Sequence, residues 1–171
     1  MGYAAREFIE EASKLGIKVC ELESNKAKSL RELVCDRFFK KGLPKIEYDL
    51  IEADFKSVGG GQVWTWIKEY PSHDRVFLFF ENSRDKSILQ LEKLSDYVSV
   101  AAECHGYTSY LVDCSGSFML VDNCDGFLLG LGEAKSWLDI KIDEKGRRGT
   151  ESLCDDQLIA EALKNLNGPQ D

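Results

Sequence analysis

Apolar positions along this chain change their spacing from one segment to the next, and each change marks an element. Phe8, Ile9, Ala12 and Leu15 recur at helical spacing with Gly16 behind them, so residues 3–15 predict an amphipathic helix. A second helix is predicted with Ser24 as its cap and Leu30, Leu33, Val34 and Phe38 as its stripe, ended by Gly42 and Pro44. Residues 46–55 fit strand or helix equally, and Gly59-Gly60-Gly61 makes a flexible break. Val63, Trp66, Ile67 and Tyr70 then suit a short helix closed by Pro71, although Trp64 and Trp66 also suit one face of a strand.

Val76 to Phe80 is a continuous apolar run too short for a helix, as expected of a strand buried on both faces. Ser87-x-x-Gln90 has the form of a capping box, with Leu91, Leu94, Val98 and Ala101 at helical spacing and Gly106 placed as a left-handed C-cap, so a helix is expected there. Three strands follow over residues 107–113, 117–122 and 127–131, joined by turns short enough to require antiparallel hairpins. Gly132 leads into a short helix containing Ala134, Trp137 and Leu138. A polar segment over residues 143–152 precedes a last helix built on Leu158, Ile159, Ala162, Leu163 and Leu166. This order predicts one α+β domain spanning residues 1–171, with an antiparallel sheet of about four or five strands. Helices are expected on one sheet face, with N-terminal helices and a C-terminal helix.

Charge adds a second layer. The net charge of −8 is uneven: residues 1–58 hold 11 acidic and 11 basic residues, while residues 59–132 hold 10 and 5. From Leu94 to Glu133 there is no lysine or arginine, yet Asp96, Glu103, Asp113, Asp122, Asp125 and Glu133 all fall there. Direct nucleic-acid binding is disfavoured, because neutralising phosphates needs clustered Lys and Arg. Six cysteines without a C-x-x-C pair or a preceding signal segment suggest reduced thiols in a cytoplasmic protein. Arg6 stands where a myristoylation signal needs Ser or Thr, and no apolar run approaches a membrane span, so neither anchor nor membrane is expected.

Specific chemistries fail one at a time. Residues 121–132 resemble an EF-hand loop, but Val121 and Gly132 would occupy positions that need carboxylates. Gly130-x-Gly132 lacks its third glycine and puts Glu133 where a pyrophosphate would sit, and Gly59-Gly60-Gly61-Gln62 lacks the Lys and Ser/Thr of a phosphate loop. Cys104, Cys114 and Cys124, spaced by ten beside His105, suit buried thiols better than a zinc site. Only His73 and His105 could activate a thiol, and neither is tied to a cysteine by spacing. No catalytic residue, metal or cofactor is therefore expected.

The carboxylates leave two readings. Asp113, Asp122 and Asp125 fall at strand ends and turns, where Asp bonds local backbone. With Glu133 they also suit an acidic recognition surface, for which Trp64, Tyr107 and Tyr110 are possible aromatic anchors if exposed. Asp113, Asp122, Asp125, Glu133, Trp64 and Tyr110 are the candidate partner-binding residues.

Over residues 76–138 the pattern of a helix, Gly106-Tyr107, two strands ending in Val121-Asp122-Asn123, a turn, then Gly130-x-Gly132-x-Ala134-x-x-Trp137-Leu138 resembles small bacterial immunity proteins. That family neutralises polymorphic or contact-dependent growth inhibition toxins. The resemblance implies cytoplasmic residence, no enzymatic activity, and tight binding to a cognate toxin domain, often a basic nuclease. Two alternatives stay open: a small-ligand binder or enzyme with a pocket between sheet and helices, and a structural interaction module with an exposed apolar patch around Trp64 or Trp137.

Overall fold

The computed structural model describes residues 1–41, 46–72, 75–81 and 86–145. The chain divides into two units, Met1–Leu138 and Asp139–Asp171. The first carries the whole sheet. Of the second, residues 139–145 are described and are helical, with Lys141 Nζ paired to Glu144 at 3.2 Å. The predicted C-terminal helix, like Gly42, Pro44 and His73, lies outside the described residues.

Helix α1 (Tyr3–Lys14) forms on the expected stripe, with Ala5, Phe8 and Ala12 buried. Gly16 ends it at φ +68, where only glycine sits without strain, and the Ile17 N–H closes the turn on Ala12 O at 2.9 Å. The two-residue strand β1 (Cys20–Glu21) leads into α2 (Ser24–Phe38), which buries Ala27, Leu30, Val34 and Phe38. Ser24 begins this helix rather than capping it. Glu23 holds the cap position and makes no side-chain capping bond.

The ambiguous stretch resolves into a 3₁₀ turn (Tyr48–Leu50) followed by strand β2 (Phe55–Gly59). A second 3₁₀ segment (Val63–Glu69) takes up the residues read as a short helix, before strand β3 (Val76–Phe80). The expected capping box does not form. Leu89–Leu91 is instead a strand, β4, paired with β3 on one side and β1 on the other, and the Ser87 hydroxyl donates to Glu21 Oε1 at 2.8 Å. Helix α3 (Leu94–Ala101) starts later and buries Leu94, Tyr97 and Val100, a stripe one residue out of phase with the one predicted. Gly106 is not left-handed, because the helix has already ended at Ala101. Strands β5 (Ser109–Val112), β6 (Phe118–Asn123) and β7 (Phe127–Gly132) form the predicted meander, and residues 133–145 are helical.

The fold is α+β with one antiparallel sheet of seven strands, in the order β1-β4-β3-β5-β6-β7-β2. Four or five strands were expected. The excess comes from β1, β2 and β4: β1 and β2 pair with strands far away in sequence, and β4 takes residues whose spacing suits the start of a helix. Helices on one face must also be corrected, because both faces are covered. Phe77, Phe79, Tyr110, Val112, Met119, Val121, Leu129 and Leu131 share the face under α2. Opposite them, Val76, Leu78, Phe80, Leu111 and Leu120 lie on the face that meets α1 and α3. There the Phe8 ring stacks 5.9 Å from Tyr97 and sits 5.9 Å from Phe80. Every residue of β3 and β5 is buried, so one covering layer could not have sufficed. On the α3 side, Tyr70 packs 4.6 Å from Phe118 and 5.3 Å from Trp137. Residues 133–138 approach closely enough that a Cβ on Gly130 would meet Ala134 O at 2.5 Å. No helix among the described residues is long and apolar enough to cross a membrane.

Candidate functional site

The meander sorts the acidic residues between its two ends. Successive strands run in opposite directions, so the β5–β6 turn and the last residue of β7 share one end, and the β6–β7 turn lies at the other. Asp113 and Glu133 belong to the first end, where both bear electrostatically on Tyr70. Burial, followed by these two carboxylates, pushes that phenol up to about 12. Asp122 and Asp125 belong to the second end. The four carboxylates therefore do not make one patch.

Their environments differ as well. Asp113 is 8% exposed and spends its carboxyl on its own turn, accepting from the Ser117 N–H at 2.7 Å and from the Ser115 hydroxyl. Asp125 and Glu133 are exposed. In the β6–β7 turn the local bond is made by Asn123, whose Oδ1 accepts from the Asp125 N–H at 2.6 Å, so the Asp125 carboxylate is not used to hold that turn. Tyr110 offers no surface to a partner: it is fully buried under α2, and its hydroxyl donates to Glu81 Oε1 at 3.0 Å. Burial, then Glu81, Glu47 and Asp49, holds that phenol far above its ordinary range.

Asp122 and Trp64 do come together. They line a cleft of about 280 Å³ on the α1/α3 side of the sheet, at the β6–β7 end. Phe8, Phe80, Tyr97 and Tyr107 contribute aromatic walls, and Cys104, His105 and Cys124 complete much of the rim. The Asp122 carboxyl accepts one hydrogen bond from the Tyr97 hydroxyl at 2.6 Å. Burial raises the carboxyl to about 6 despite that bond. The phenol is itself pushed well above its usual value, by its complete burial and then by the Asp122 charge, so it stays a donor across the physiological range. No lysine or arginine lines the cleft among the described residues.

Beside the cleft, Glu7 of α1 ties the helix to the segment between α3 and β5. Its two oxygens take the Tyr107 hydroxyl and the His105 Nδ1, and Tyr107 also packs edge-on to Phe80 at 6.0 Å. Burial opposes the charge on Glu7, but the Tyr107 and His105 bonds hold the carboxyl below its ordinary value. Cys104 is pushed up to about 11, first by burial and then by Glu7, Glu11 and Glu103, so at neutral pH it is a thiol and not a nucleophilic thiolate. The spacing of ten does not gather the cysteines, since Cys114 lies at the opposite end of the meander from Cys124. No group of three or more His, Cys, Asp or Glu that could hold a metal occurs among the described residues.

Sequence reasoning missed Tyr97, Glu7 and the acidic neighbours of Tyr110. Tyr97 was legible, because Leu94, Tyr97 and Val100 make as good a helical stripe as the one chosen. Glu7 was not, since its partners lie about a hundred residues away. No family model matches the chain, and no curated protein is significantly similar to it.

Proposed function

We propose that this chain is an immunity-type protein, resident in the cytoplasm, that binds and neutralises a cognate toxin domain without catalysing a reaction. A basic nuclease is the partner chemistry it suits best. Such a domain carries a surface that attracts phosphates, and carboxylates can occupy the phosphate positions and speed association. The observation that carries the reading is Asp122, a largely ionised carboxyl at neutral pH in a half-open aromatic cleft, with no lysine or arginine lining that cleft among the described residues. Around it, Asp125 lies in the adjoining turn, and Glu47, Asp49 and Glu81 gather near Tyr110 on the other face of the same sheet end.

The enzyme reading is weaker at this cleft. Its neighbouring groups are committed to one another, His105 to Glu7, and Cys104 held as a thiol. A structural module would use the exposed rings of Phe55 and Phe127, 43% and 45% accessible on the strands β2 and β7. Co-purification and calorimetric titration with the protein encoded by the neighbouring upstream gene test the proposal. A tight complex weakened at least tenfold by combined Asp122→Asn and Asp125→Lys, and hardly changed by Glu133→Lys, is the expected result. No binding, or binding indifferent to these changes, overturns it.

A further inference from the structure

The cleft at the β6–β7 end contains a carboxylate that no lysine or arginine in its lining balances among the described residues. Asp122 points from β6 on the same sheet face as its register partner Ser109, and its only hydrogen bond among the described residues comes from a neutral phenol. A phenol can solvate a carboxylate but does not neutralise it. Glu7, a short distance along the same side, shows how the fold treats a carboxylate it needs for itself: two donors are drawn to it and its proton affinity falls. Asp122 receives less, one neutral donor, and its burial raises its proton affinity where that of Glu7 falls, the condition of a carboxylate whose counter-charge arrives from outside.

The shape of the cleft narrows what that counter-charge can be. About 280 Å³ lies just below the ~300–1,000 Å³ range of ordinary small-molecule sites, so it suits the head of a single side chain better than a whole cofactor. Its walls include Trp64 and Tyr107, whose ring faces attract organic cations and repel anions. A carboxylate with aromatic walls favours an organic cation over a bare metal ion, and no group of three or more His, Cys, Asp or Glu that could hold a metal occurs among the described residues.

We propose that this cleft receives one alkylammonium or guanidinium group, carried on a basic side chain of the protein partner, with Asp122 as counter-ion and Trp64 and Tyr107 as flanking rings. This deepens the immunity reading and rests on it for the identity of the partner. The chemistry of the cleft stands or falls separately. A planar guanidinium suits it best, since it can stack on a ring and bond a carboxylate at once.

The test uses the full chain and small probes followed by NMR. Arginine amide is expected to shift the Trp64 indole and Asp122 signals with a Kd on the order of 10 mM, as befits a single isolated contact. Citrulline amide, its neutral isostere, should shift neither. Asp122→Asn keeps the shape and an acceptor for Tyr97, and should weaken arginine amide binding at least tenfold while leaving the remaining spectrum folded. Equal shifts with citrulline amide, no shifts at 100 mM probe, or binding unchanged in Asp122→Asn would overturn the proposal. Micromolar binding of a free amine would overturn the assignment to a partner's side chain, and would indicate a small-molecule site instead. If a toxin complex forms but ignores Asp122→Asn, the cleft assignment fails and the immunity reading survives. If arginine amide binds through Asp122 but no complex is found, the reverse holds.

Discussion

The two ends of the β5–β6–β7 meander use the same residue types for opposite purposes. At the β5–β6 end, Asp113 is enclosed by donors from its own turn, and Gly132 at φ +59 lets the chain pass so close that a Cβ there would lie 2.3 Å from Ser117 O. At the β6–β7 end, Gly126 also has a positive φ, +83, but a Cβ added to it would meet nothing within 4 Å, and Asp122 has one neutral donor for company. The first end is closed on itself and the second is open. An aspartate at a turn is thus structural or available according to the donors that the neighbouring backbone brings to it, and its position in the sequence does not distinguish the two.

The largest effect that could break this contrast is expected from Gly132→Ala. The added methyl meets backbone on top of an unfavourable φ, and denaturant unfolding should register a loss of roughly 3–4 kcal/mol. Gly126→Ala faces the conformational cost alone, about 1 kcal/mol. Equal losses at the two glycines would show that the open end is as tightly built as the closed one. Next, Asp113→Ala strips two local hydrogen bonds from a buried turn and should cost about 2 kcal/mol in the same measurement, whereas Asp125→Ala should stay within about 0.5 kcal/mol.

The sharpest effect has the opposite sign. Asp122 titrates near 6 in the folded chain, above the 3.8 it has when unperturbed, so between those values the folded state holds more of a proton than the unfolded state does. The contribution of this carboxyl to stability is therefore unfavourable above pH 6, eases as the pH falls, and vanishes below about pH 4. Asp122→Asn should stabilise the protein by roughly 1–2 kcal/mol at pH 8, with the gain gone near pH 4, in unfolding curves measured across that range. A stabilising substitution at the residue proposed to meet the partner is the pattern expected where binding has been kept at some cost to folding. If Asp122→Asn destabilises at pH 8, the carboxyl is a structural group like Asp113.

Much of the sheet was legible in the sequence, and the reasons are local. Val76–Phe80 is an unbroken apolar run, and the three strands of the meander are separated by turns with glycine at Gly116 and Gly126, both with positive φ in the structure. Helices on one face are what the element order predicts, and the correction comes from that same apolar run, since a strand buried throughout cannot sit under a single layer. Strand β4 was misread because Ser87, Gln90, Leu91 and Leu94 are spaced as a helix would space them. Pairing with β1 and β3 on both sides overrode that local preference. Of the candidate site, Asp122 and Trp64 line one cleft, whereas Tyr110, a possible surface anchor by sequence, belongs to the core. An aromatic residue on a strand gives no sign of which face it points to until the register and both covering layers are known.

The position of β2 has a consequence for how the molecule is made. Phe55 pairs with Leu131 and Gly59 with Phe127, so among the described residues this strand finds its neighbour in the last strand of the sheet to be synthesised. On a ribosome it emerges early and waits, with its backbone donors and acceptors unpaired along residues 55–59, until Gly132 has cleared the exit tunnel. Contacts of such separation form late and leave a sheet edge open to wrong partners in the interval. Lys56, in the middle of that strand, places a charged side chain at the sheet edge, which disfavours pairing with an intruding strand.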